Sequence, residues 1–201
     1  QDMPHYTTYL FAGNLIFSYF RESTTLGMAA LMGNADIFSK INIPKYMFVL
    51  SSNISSLINF LVTLVVFFLF AAFDGVVFSW RFLILIYPTL CLLVFNIGVG
   101  LILSAMFVFF RDTQYLYSVF TLLLMYVSAI FYQVTSFPIE IQRVFLLNPV
   151  YVYIKYFRLV VIENSIPSLA FNLLPLFWAI AAILIGGLIY KKNNQRFMYY
   201  V

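Results

Sequence analysis

Tyr46-Met-Phe-Val-Leu-Ser-Ser-Asn-Ile-Ser-Ser-Leu-Ile-Asn-Phe-Leu-Val-Thr-Leu-Val-Val-Phe-Phe-Leu-Phe-Ala-Ala-Phe73 contains no charged side chain. A helix needs about 20 predominantly apolar residues to cross a hydrocarbon core, and this run exceeds that. Phe82 to Phe110, Thr113 to Ile139 and Asn164 to Tyr190 are equally free of charge. A soluble helix keeps a polar face for water, and these runs keep none. The rest of the chain follows the same solvent logic: 64% of residues are hydrophobic and 9% charged, against roughly 25% charged in soluble domains. A barrel would show strands of about ten residues alternating in polarity. Continuous runs predict an all-α integral membrane protein instead.

Charge placement sets the threading. Lys191, Lys192 and Arg196 follow the last apolar run and, by the positive-inside rule, put that end in the cytoplasm. Alternating backwards, Ser168 to Tyr190 runs inward, Thr113 to about Val134 outward, Phe82 to Phe110 inward, and Tyr46 to Phe73 outward. Lys40, Lys45 and Arg111 then lie inside, while Arg81, Arg143, Lys155 and Arg158 lie outside. The first segment, Tyr6 to about Met32, must run inward from an external start. With Gln1 first and no secretory signal ahead of it, the expectation is that a cytoplasmic segment and one membrane helix precede it. Residues 1–201 otherwise read as a single transmembrane domain.

Three stretches depart from plain spanning helices. Between Gly33 and Pro44, Asn34 or Asp36 can cap a short helix with Ile37, Phe38 and Ile41 on one side and Pro44 ending it. Its apolar side either rests among lipid headgroups or docks on another protein. Between Gln133 and Asn164, turns at Ser136-Phe-Pro138 and Asn148-Pro149 delimit Ile139 to Leu147 and Val150 to Glu163. These are too short or too charged to span and too apolar to project into water. They read either as helices dipping in from the external face, where protein or an aqueous cavity covers the backbone, or as a hairpin lying on the surface. The third departure is Arg21-Glu22 inside the first apolar segment. Such groups cost roughly 2.5 to 3.5 kcal/mol each on insertion scales, so they face the bundle interior and pair, or the helix breaks near Glu22-Ser-Thr-Thr25.

Chemistry for catalysis is missing from the pattern. No phosphate-cradling glycine loop, His-Glu-x-x-His or Gly-x-Ser-x-Gly occurs, so no catalytic residue and no resident cofactor are expected. One histidine, His5, and one cysteine, Cys91, offer no metal site and no disulfide within the chain. A net charge of +4 is modest and gives no reason to expect nucleic acid as a partner. No spanning run carries paired carboxylates, which argues against a proton relay. Tyr126, Phe131, Tyr132, Tyr151, Tyr153 and Tyr156 cluster around the external stretch, where rings with polar tips suit sugar.

Five patches in one order carry a resemblance: Asn14-Leu-Ile-Phe-Ser-Tyr-Phe-Arg-Glu-Ser23, Asn34-Ala-Asp-Ile-Phe-Ser-Lys-Ile-Asn-Ile-Pro-Lys45, Phe110-Arg-Asp-Thr113, Ser128-Ala-Ile-Phe-Tyr-Gln-Val134 with Pro138, and Leu147-Asn-Pro149. Together they resemble the permease subunits of ABC-2 type exporters, in the branch that exports O-antigen and teichoic-acid polysaccharides. The resemblance implies a six-helix subunit of the bacterial cytoplasmic membrane that pairs with a second copy and with a separate ATPase holding ATP and Mg. It implies a coupling helix at Asn34 to Lys45, with Ile37, Phe38, Ile41 and Ile43 as anchors and Asp36, Lys40 and Pro44 beside them. It also implies external gate helices over Phe131 to Glu163, with Arg21, Glu22, Lys155, Arg158 and the six aromatics on the path of a lipid-linked polysaccharide. The path would lie between two copies, lined by the Tyr6, Tyr46 and Thr113 helices. Gln133 departs from the family, where proline is common after Phe-Tyr. Rival readings are an ABC-2 exporter of drugs or lipids, a secondary transporter or channel without ATPase, and a structural assembly subunit.

Overall fold

A computed structural model describes residues 5–40, 43–194 and 197. It is helical throughout, with no strand among the described residues. Helix α1 spans Tyr6–Ala29, and after a single 3-10 turn at Met32–Asn34 comes the short α2, Ala35–Lys40. Helix α3, Tyr46–Phe73, returns across the molecule. A 3-10 turn at Trp80–Leu85 leads into α4, Ile86–Phe109, and Arg111-Asp112 turns the chain into α5, Thr113–Val127. The short α6, Ile139–Phe145, meets α7, Pro149–Val161, at a bend of 107°. Helix α8 closes the chain over Leu169–Asn193.

By length and apolarity Tyr46–Phe73, Trp80–Phe109 and Leu169–Asn193 can cross a membrane, and the bent α6–α7 pair makes up to four. Helix α1 has 24 residues, about 36 Å at 1.5 Å per residue, and is long enough; Arg21-Glu22 and its hydroxyls make it too polar to face lipid all round. Its position resolves the conflict. Helix α1 packs against α3, α4, α5 and α7 and buries Ile16, Phe17, Tyr19 and Phe20 in the main core. The expected alternative of a break near Glu22 does not occur, because the helix-weakening hydroxyls turn inward and find partners. Ser23 donates to Asn53 Oδ1 of α3 at 2.5 Å, and the Thr24 and Tyr117 hydroxyls meet at 2.5 Å, linking α1 to α5. Lipid gives helices no hydrophobic reason to associate, so such bonds, each worth roughly 0.6 to 2 kcal/mol, count alongside close packing.

Close packing is most demanding between α4 and α8. A Cβ on Gly98 would collide with the backbone of Ala182, and one on Gly186 would collide with the backbone of Gly98. Ala182 and Gly186 are one helical turn apart, so a small-residue face on α8 receives α4 at backbone distance. Pro175 loosens α8 nearer the outer end. Tyrosine hydroxyls serve carbonyls there, Tyr153 donating to Pro175 O at 2.9 Å and Tyr87 to Asn172 O at 2.7 Å.

Helix ends sort into two layers, in agreement with alternate threading. The Thr8 hydroxyl donates to Asp74 Oδ2 at 2.5 Å, joining the start of α1 to the end of α3. Lys45 Nζ donates to Asn194 O at 2.9 Å, joining the start of α3 to the end of α8. The first is here called the outer end and the second the inner end. One expected span is shorter: α5 stops at Val127 after 15 residues, about 22 Å, instead of running to about Val134.

Gly98→Ala is expected to force α4 off α8, costing about 1 to 3 kcal/mol as an overpacked contact. Gly187→Ala, where a Cβ meets nothing within 4 Å, leaves the thermal unfolding midpoint in detergent unchanged.

Candidate functional site

What stops α5 also builds the outer site. The Ser128 hydroxyl donates back to Leu124 O at 2.7 Å, and Ala129 adopts φ 52°, a left-handed conformation that an alanine rarely takes. The carbonyls that follow have no helix to serve. Arg158 of α7, 6% exposed, serves them: Nη1 donates to Ala129 O at 2.9 Å and Nη2 to Ile130 O at 3.0 Å. The same guanidinium reaches α1, with Nε and Nη2 at 3.3 and 3.2 Å from Tyr9 O and its carbon 3.4 Å from the centre of the Tyr9 ring. A buried cation thus sits at a helix C-terminus, where the backbone dipole favours positive charge.

Gly13 makes room for it. A Cβ there would lie 2.6 Å from Arg158 Nη2 and 3.3 Å from Ile130 Cγ2. Asn148 adds a second tie: its Oδ1 accepts from Val150 N and Tyr151 N as the cap of α7, while Nδ2 donates to Ser128 Oγ at 3.0 Å. The cap that starts α7 therefore holds the end of α5. Tyr9 completes the link by donating to Tyr132 O at 2.9 Å.

Around this anchor the aromatics divide into three groups. Tyr132, Phe137, Phe145 and Tyr151 pack ring to ring at centroid distances of 5.4 to 6.2 Å and clamp α6 against α7. Tyr126 and Phe131 are exposed, at 57% and 49%, with rings 6.2 Å apart. Tyr153 and Tyr156 face the core, at 0% and 1% exposure, and Tyr156 stacks on Phe171. These two are packing residues in this conformation and offer no ring to a substrate. Lys155 and Arg158 line a polar cleft of about 110 Å³ with Gln133, Gln142, Tyr151 and Glu163, and Lys155 Nζ lies 5.5 Å from the Phe171 ring centre.

Helix α1 carries the second part of the site. Thr7, Asn14, Ser18, Arg21 and Thr25 are exposed along one stripe of a helix most of whose remaining residues are buried, with Phe11 exposed among them. The spacing of three, four and seven residues keeps them on one side. Arg21 and Glu22 do not pair; Asn59 of α3 donates to Glu22 Oε1 at 2.8 Å. Asn14, Ser18 and Glu22 line a groove of about 210 Å³ between α1 and α3, with Phe60 and Phe67 as apolar wall.

At the inner end Asn34 Nδ2 donates back to Ala30 O at 2.7 Å, and Asp36 stands in the first turn of α2. Ile37 is 44% exposed. Phe38 and Lys40 belong to the helix by backbone; Ile41 lies outside the described residues, and Ile43 and Pro44 form the irregular link into α3. Sequence reasoning placed Arg158 in the gate but missed Gly13, Asn148 and the carbonyls of Ala129 and Ile130. The available signal was an arginine in an otherwise apolar helical run and a glycine in a run without turns.

Arg158→Lys is expected to fail as a replacement for Arg158, because an ammonium cannot fork across three carbonyls. Each carbonyl left unserved costs about 1 to 3 kcal/mol, read out as faster hydrogen exchange over 128–134. At the outer rim, the Thr8 hydrogen bond chiefly, and His5 at 3.4 Å, hold the Asp74 carboxyl below its usual range. A carboxyl depressed by folding stabilises the fold above the unfolded value of about 4, and that contribution fades as the pH falls through the lower folded value. Thermal scans from neutral pH downward should show this acid-side loss, and Thr8→Val should reduce it.

No protein-family model matches the chain. It is similar to the O-antigen export system permease protein RfbA of Klebsiella pneumoniae, with 26% identity over 200 residues, 98% of this chain and 76% of that protein. RfbA of Myxococcus xanthus is 24% identical over 191 residues, 91% of this chain and 74% of that protein. The similarity takes in α2, the end of α5, and α6 and α7, and it bears out the resemblance read from the sequence. The chain is an all-α, multi-pass bacterial membrane protein similar in sequence to permeases of O-antigen export.

Proposed function

We propose that this chain is the permease subunit of an ATP-driven exporter that moves a lipid-linked polysaccharide across the cytoplasmic membrane. The observation that carries the proposal is the stripe of Thr7, Asn14, Ser18, Arg21 and Thr25, exposed along one side of a helix long enough to cross a membrane. Polar and charged groups facing hydrocarbon are expensive, so an assembled protein turns such a stripe toward water or another chain. A second copy placed opposite α1, α3 and α5 encloses a polar path there. Tyr126 and Phe131 at its outer mouth add flat rings that suit sugar faces, and the curated relatives are named for O-antigen export.

Energy comes from outside the chain, since no phosphate-binding loop exists in it. A separate ATPase subunit, holding ATP and Mg, grips α2 through Ile37 and Phe38 with Ile41 and Ile43 beyond. Pro44 and Lys45 join that grip to α3. The α3 helix is a single rod to Phe73, and at its far end Asp74 holds α1 through Thr8. Displacement of α2 is thereby delivered to the outer end of α1, where Tyr9 meets Arg158. Movement of one packed element against another is a standard repertoire for such switches.

In the assembled transporter, Ser18→Cys is expected to react with a membrane-impermeant maleimide and to change its rate when ATP is added. Leu188→Cys, exposed on α8, stays unreactive as a lipid-facing control. Adding Phe38→Asp with Ile41→Asp abolishes the ATP response and releases the ATPase. An unreactive Ser18→Cys, or an ATP response that persists in the double variant, overturns the reading.

A further inference from the structure

At the inner end, away from both parts of the site, α3, α4 and α8 leave a groove of about 460 Å³ between them. Its floor is apolar, formed by Leu50, Leu101 and Ile183, and its rim carries Tyr190 and Lys191. The floor is open: a Cβ on Gly187 would meet no heavy atom within 4 Å. Tyr190 is 5% exposed, and its hydroxyl is buried without a hydrogen-bond partner among the described residues. Leaving such a group unpaired is costly, so its position points to an absent oxygen. Charge identifies the kind of oxygen. Lys191 and its neighbour Lys192 are exposed in the last turn of α8, Lys45 lies alongside with its ammonium on Asn194 O, and no carboxylate is among the residues lining the groove.

We propose that this groove binds an anionic phospholipid, its acyl chain on the Leu50–Ile183 floor and its phosphate held by Lys191 and the Tyr190 hydroxyl. An apolar trough ending in tyrosine and lysine at a helix terminus matches the depth profile of such a molecule, chain inward and headgroup at the interface. Tyr46 and Leu50, in the first turns of α3, form one wall, so the bound lipid braces the segment directly after Pro44. The inference is independent of what the protein exports.

Native mass spectrometry of the assembled transporter, released from nanodiscs of phosphatidylcholine with a minor share of phosphatidylglycerol, tests it. The unmodified protein retains phosphatidylglycerol in preference to phosphatidylcholine. Lys191→Gln with Lys192→Gln weakens that retention about fivefold per lysine. Gly187→Leu fills the floor and removes the adduct, while its unfolding midpoint in pure phosphatidylcholine stays that of the unmodified protein. Equal retention of the two lipids, or undiminished phosphatidylglycerol on Gly187→Leu, overturns the proposal. So does a cross-link from Gly187→Cys to a partner protein in every preparation, which would mean that a protein segment covers the groove.

Discussion

Hydrocarbon offers a peptide bond nothing to bond to, and this single constraint explains why the chain spends a buried arginine on its own backbone. Within a regular helix each N–H and C=O finds its partner internally. Where α5 ends at Val127, the chain must turn at a depth where water is scarce, and the carbonyls of Ala129 and Ile130 are stranded. Arg158 answers with parallel donors from α7 and reaches Tyr9 of α1 with the rest of the guanidinium. A cation without an acidic partner would be a liability elsewhere. Here three carbonyl dipoles and an aromatic face disperse its charge.

The other helices are arranged around α1 for a related reason. Too polar for lipid, it is sunk among α3, α4, α5 and α7, and its inward hydroxyls become the bonds that fix their register. What remains outward is a stripe that lipid cannot accept cheaply. One helix therefore both organises the fold and carries the polar surface on which the proposed path rests. Helices α4 and α8, joined backbone to backbone through Gly98 and Gly186, form a contrasting rigid pair.

Much of this was legible in the sequence because solvent writes strongly on composition. Uncharged runs gave α3, α4 and α8 within a few residues, and Pro138 and Asn148-Pro149 marked the starts of α6 and α7. The family patches fell on α2 and on the turns that bound α6 and α7. Less legible was where polar residues point. Ser23 and Thr24 read as helix-weakening residues, yet they are inward bonds, since one chain's propensity does not reveal a neighbour's hydroxyl. Tyr153 and Tyr156 read as members of an aromatic mouth, yet the rotation of α7 set by Arg158 and Asn148 turns them into the core. The early end of α5 was hidden because a left-handed alanine leaves no trace in composition.

Gly13 is a keyway. The guanidinium occupies the space where any other residue would carry its first side-chain carbon, so α1 and α7 are indexed to one another like a shaft and its key. Sliding of either helix along its axis is blocked while the key is seated. The outer third of the protein can therefore swing as one piece, and independent drift of its parts requires that the key first be withdrawn.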